Sequence, residues 1–68
     1  MASLTYEIKS TKSDTIYTVK GESSRAFLAV SGEASTNRKV LAEIERIRRG
    51  GADFATAKWT ANQLARTY

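Results

Sequence analysis

Two short runs near the start of the chain, "SLTYEIK" and "TIYTVK", alternate apolar and polar residues along their length. The first sets Leu4, Tyr6 and Ile8 against Thr5, Glu7 and Lys9; the second sets Thr15, Tyr17 and Val19 against Ile16, Thr18 and Lys20. A period of two is the mark of a half-buried strand, and the intervening "STKSD" is made of turn formers, so the spacing predicts a β-hairpin. An isolated hairpin is marginal in water. The rest of the chain must therefore cover its apolar side.

The next run, "RAFLAVS", is branched and aromatic and is expected to form a third strand ended by Gly32. A helical turn capped by Ser23 or Ser24, with Phe27 and Val30 three apart, is the rival reading. Beyond it the period changes. "STNRKVLAEIERIRR" places Val40, Leu41, Ile44 and Ile47 on one helical stripe, with Ser35, Thr36 or Asn37 available as the cap. Glu43 lies within reach of Lys39, and Glu45 one turn before Arg49. Arg46, Arg48 and Arg49 suit the negative end of that helix, Gly50 is the expected left-handed cap, and Gly51 adds a second joint at which the chain reverses. "ADFATAKWTANQLARTY" predicts another helix capped by Asp53, with Phe54, Ala57, Ala61, Leu64, Ala65 and Tyr68 inward and Trp59, Asn62, Gln63 and Arg66 outward. The resulting fold class is α+β: a small antiparallel sheet packed against two C-terminal helices near 36–49 and 53–67, all one compact domain over 1–68.

The expected core is Leu4, Tyr6, Ile8, Tyr17, Val19, Phe27, Leu28, Val30, Val40, Leu41, Ile44, Ile47, Phe54, Leu64 and Tyr68, with alanines between. In 68 residues such a core only just offsets the ordering entropy. With no cysteine and no histidine, neither a disulfide nor an ordinary zinc site reinforces it. Self-association or a partner is one remaining source of stability. No metal and no cofactor is expected.

Several function classes fall away on the same residues. Histidine and cysteine, the usual groups of neutral-pH acid–base and nucleophilic catalysis, are absent. Glu43 and Glu45 point about 200° apart on a helix, which argues against a coupled pair. "SGEAST" and "RRGGAD" lack the spacing of a phosphate-binding loop. The chain is expected to be no enzyme. Its longest apolar run is "AFLAV", far short of the roughly 18 residues of a membrane span, and the start resembles no secretory signal. A cytoplasmic protein is expected, in the host cytoplasm if viral.

Charge supplies the functional expectation. The net charge is +4, and the excess lies wholly after residue 37. Before that point Lys9, Lys12, Lys20 and Arg25 balance Glu7, Asp14, Glu22 and Glu33. A basic half of this kind suits an anionic partner. The expected partner-binding residues are Arg38, Lys39, Arg46, Arg48 and Arg49 for electrostatic positioning, with Trp59, Gln63 and Arg66 beside them, Trp59 as the anchor. The expected role is that of a non-catalytic accessory or regulatory protein bound to another protein or protein assembly, such as a small viral or bacterial inhibitor or adaptor. The alternatives are a largely non-specific nucleic-acid binder using the arginine cluster and stacking by Trp59, or a structural or assembly protein without a ligand site. A homo-oligomer fits any of these. Against all of them stands an ordinary solvated face, with Trp59 filling a crevice beside Tyr17 or Ile16. The passage "IERIRRGGADF" resembles the helix and double glycine of small phycobilisome linker domains, but the apolar strand that would follow is missing, and no function is carried over from that likeness.

Overall fold

A computed structural model describes residues 3–68. Strands β1 (Leu4–Lys9), β2 (Ile16–Gly21) and β3 (Ala26–Ser31) form an antiparallel sheet in the order β1-β2-β3. A short 3-10 helix (Glu33–Thr36), α1 (Arg38–Gly50) and α2 (Phe54–Thr67) follow, and both long helices lie on one face of the sheet. The α+β expectation holds, and residues 26–31 resolve as a strand.

Register shows why the alternation works. Tyr6 lies opposite Val19 and Val19 opposite Leu28; Ile8 lies opposite Tyr17 and Tyr17 opposite Val30. These rows face the helices, and Tyr17 and Val19, on the central strand, are fully buried. From above, Val40, Ile44 and Ile47 of α1 and Ala57, Ala61, Leu64 and Ala65 of α2 close the same core. Alanine at three of these α2 positions keeps the stripe short, which permits close approach of α2 to β2.

Local chemistry fixes the ends. Asn37, one of the three expected caps, is the one used: its side chain accepts from the N–H groups of Lys39 and Val40. The left-handed position at the end of α1 belongs to Gly51 (φ 74°), and Gly50 is the last helical residue, so the expected cap is displaced by one. Asp53 caps α2 as expected, accepting from Thr56 N at 2.7 Å. The chain leaves β3 through Gly32 (φ 102°), whose α-hydrogen side lies against the backbone of Asp14 and Thr15. The 3-10 helix that follows is new relative to the sequence reading. It is anchored by buried Thr15, whose Oγ1 accepts from Ala34 N at 2.9 Å, and by Asp14, whose Oδ1 accepts from Glu33 N.

Three expected core residues lie elsewhere. Phe27 is 52% exposed because Ala26, Leu28 and Val30 take the inward phase of β3 and leave Phe27, Ala29 and Ser31 on the open face. Leu41 sits on a flank of α1, 43% exposed, because the buried stripe runs through Val40, Ile44 and Ile47. Leu4 is 39% exposed at the start of an edge strand. After the double glycine comes α2, so the likeness of "IERIRRGGADF" to a linker domain ends at the glycines.

A candidate docking surface on the helical layer

The two helices are antiparallel. The link between them is pinned to the start of β3 by Ala26 N donating to Ala52 O (2.8 Å), and the start of α2 to the β2–β3 turn by Phe54 N donating to Ser23 O (3.1 Å). At the other end Asn37 and Tyr68 border one recess with Lys12 and Ser13 of the β1–β2 turn. With the helices joined so tightly, residues whose numbers sum to about 104 lie level with one another. Trp59 is thus level with Glu45 and Arg46, Gln63 with Leu41 and Ala42, and Arg66 with Arg38 and Lys39.

The flank of α2 that faces β1 is fixed by one tyrosine. Tyr6 donates its hydroxyl to Asn62 Oδ1 at 2.8 Å, and the Lys58 ammonium stands 4.8 Å from the centre of the Tyr6 ring. Asn62 is therefore occupied in holding α2 to the sheet. Projection along the helix puts Thr60, which is buried, and Thr67 on the opposite flank, toward α1, and leaves Gln63 on the outer side with Trp59. Helical projection then puts Lys39, Glu43 and Arg46 on the side of α1 nearest α2, and Leu41 with Arg48 on the side away from it.

Trp59 stands on the outward ridge of α2, 62% exposed, in line with Arg66. The crevice beside Tyr17 or Ile16 is not its place, since Ala57 and Ala61 take the inward positions of that turn. Arg38, Lys39, Arg46, Arg48 and Arg49 are all exposed, as are Gln63 and Arg66. Seven of the eight expected residues share the outer layer; Arg48 lies on the far flank beside Leu41.

The cations are not all free. Arg46 pairs with Glu43 at 2.8 Å, where Lys39 was the expected neighbour, and Arg49 pairs with Glu45 at 3.0 Å as expected. Both pairs are solvated and contribute a few tenths of a kcal/mol each, so their effect is to order the arginines more than to stabilise the helix. Arg38, Lys39 and Arg66 have no ion-pair partner among the described residues. Beside the turn, Arg49 and Arg25 line a shallow recess with Gly50, Gly51 and Asp53. The start of α2 there is taken by Asp53. Hydrogen bonding from Thr56, side chain first and backbone N–H next, holds its carboxyl below the usual carboxylate range.

Two exposed groups lie outside the expected set. Phe27 on the open sheet face has the Arg25 guanidinium 5.7 Å from its ring centre, and Leu41 is 43% exposed on α1, on the same flank as Arg48 two turns further on. The sequence carries no signal for Phe27, because "AFLAV" is apolar at every position and both phases of the strand read alike. Among the described residues no group of three His, Cys, Asp or Glu side chains is arranged to hold a metal ion, and no helix is long and apolar enough to cross a membrane. Comparison with models of known protein families, with curated proteins and with solved structures finds no match to this chain.

Proposed function

We propose that the protein is a non-catalytic binding module that docks on an acidic patch of another protein through the outer face of its two helices. Trp59 is the apolar anchor, and Arg38, Lys39, Arg46 and Arg66 are the cations around it. The observation that carries this reading is the exposed indole on the ridge of α2, level with Arg46 and in line with Arg66. Tryptophan and arginine are the residue types most enriched where interfaces concentrate their binding energy. A protein target is favoured over nucleic acid because Glu43 and Glu45 lie in the same layer and bind two of its arginines. Carboxylates weaken the extended field a polyanion needs, whereas Arg38, Lys39 and Arg66, which have no ion-pair partner among the described residues, complement a local acidic patch on a protein.

The test is capture from nuclease-treated lysate by the immobilised protein, with Trp59→Ala and Phe27→Ala as paired variants. A defined protein retained by the wild type and by Phe27→Ala, and lost with Trp59→Ala, supports the reading. Equal capture by Trp59→Ala overturns it. Retention of material only when nuclease is omitted shifts the assignment to nucleic acid, with a binding constant that falls steeply with salt.

A further inference from the structure

The sheet has two edges, and they differ. At β3 the first outward N–H, that of Ala26, already donates to Ala52 O, and Leu28, the next residue with its backbone turned outward, is 4% exposed beneath α1. Just beyond the paired ends of β1 and β2, Ser10 N donates to Thr15 O, so alternation turns the backbone groups of Thr5, Glu7 and Lys9 away from β2. All three residues are exposed, and no backbone partner outside the sheet meets them among the described residues. The β1 edge is therefore an open row of donors and acceptors.

We propose that this edge pairs with the β1 edge of a second copy of the chain, antiparallel about a two-fold axis at Ile8, to make a continuous six-stranded sheet. The register follows from which groups are free. Only residues with outward backbone groups can exchange hydrogen bonds, and a two-fold at Ile8 sets Glu7 opposite Lys9 of the other copy, twice. On the open face this gives two cross-strand ion pairs, between residues that have no ion-pair partner within one copy among the described residues. On the helix face it sets Ile8, half-buried at the sheet margin, directly against its counterpart. Tyr6 falls opposite Ser10, so the Lys58 side chains resting on the two Tyr6 rings are kept apart by about four residues of strand, roughly 13 Å. The alternative two-fold at Glu7 would set Glu7 against itself. Charges on an edge ordinarily discourage pairing. Here their order along the strand, acid then base, selects one self-complementary register. The assembly does not depend on the helical docking surface; it places two copies of that surface on the same side of one sheet.

Sedimentation of the full chain across concentrations tests this, with circular dichroism to check each fold. The wild type is expected to show a concentration-dependent monomer–dimer equilibrium. Glu7→Lys and Lys9→Glu each replace both attractive pairs with like-charge pairs, and each is expected to weaken the dimer at least about tenfold. The double variant Glu7→Lys/Lys9→Glu restores opposite charges at every pair and is expected to recover the dimer. A wild type that remains monomeric to about 1 mM overturns the proposal. So does a dimer indifferent to either single change, or a double variant that stays dissociated while folded.

Discussion

Phe27 and Leu28 are neighbours on β3, and the larger of the two contributes less to the core. Leu28 is 4% exposed under α1, whereas Phe27 is 52% exposed on the open face, where Lys20 lies opposite it in register and the Arg25 guanidinium stands 5.7 Å from its ring centre. The difference comes from phase alone. Ala26 is tied through its N–H to Ala52, and that attachment brings the helical layer over the side on which Ala26, Leu28 and Val30 project. A side chain's energetic weight in a sheet is set by the face that is covered, and its intrinsic hydrophobicity only scales the result. The two faces should therefore respond very differently to truncation. Leu28→Ala is expected to cost about 2–5 kcal/mol in urea unfolding, and Phe27→Ala less than about 1 kcal/mol although it deletes more apolar surface. Equal costs would mean that the open face is packed against something in solution and that both faces of β3 are covered.

The covered face depends on the chain turning back sharply after β3, and Gly32 makes that turn. A Cβ there would stand 2.9 Å from both Asp14 O and Thr15 Cα, backbone atoms of the neighbouring turn, in a conformation open almost only to glycine. Gly51, with φ 74°, has nothing within 4 Å of such a Cβ. Gly32→Ala is thus expected to destabilise by about 1–3 kcal/mol or more, and Gly51→Ala by less, since it carries backbone strain without a clash. A reversed order in thermal melts would show that the end of α1, and not the exit from β3, controls how the helices are seated.

The same contrast separates what the sequence discloses from what it hides. Strict alternation in β1 and β2 marks the inward rows, because a half-buried strand leaves no other arrangement of Tyr17 and Val19. The alanine stripe of α2 is equally legible, and with it the outward position of Trp59. Phe27 and Leu41 are not, since "AFLAV" and "KVLAEI" are apolar on both sides of the register and only tertiary contact decides which side is covered. The 3-10 helix at Glu33–Thr36 has no periodic signal, because contacts with Asp14 and Thr15, about twenty residues away in sequence, hold it. The eight candidate partner-binding residues were legible as charge and composition. Their division, with Arg48 on the far flank, arises from the direction of α1 relative to α2, whereas the hold of Glu43 on Arg46 is a contact between successive turns of α1 itself.

The smallest expected effect at neutral pH tests the covered face from within. Tyr17 is fully buried on β2, and its hydroxyl has no hydrogen-bond partner among the described residues. Tyr17→Phe removes an oxygen that folding strips of water without return, so stability at pH 7 is expected to stay level or rise by up to about 1 kcal/mol. The larger signature is in alkali. Burial, and secondarily the nearby Tyr68, pushes the Tyr17 phenol above its ordinary value of about 10. A raised pKa in the fold means that above about pH 10 the unfolded chain releases this proton more readily than the native protein does. The contribution is complete below that pH and is lost as pH climbs through the native value. Wild-type stability should fall in that range, and Tyr17→Phe should fall less steeply. Parallel urea series at pH 7 and at about pH 10.5 make the comparison. A loss of 1 kcal/mol or more at pH 7, or identical alkaline slopes, would show that the hydroxyl is bonded and that the covered face is wetter at its centre than the burial of Tyr17 implies.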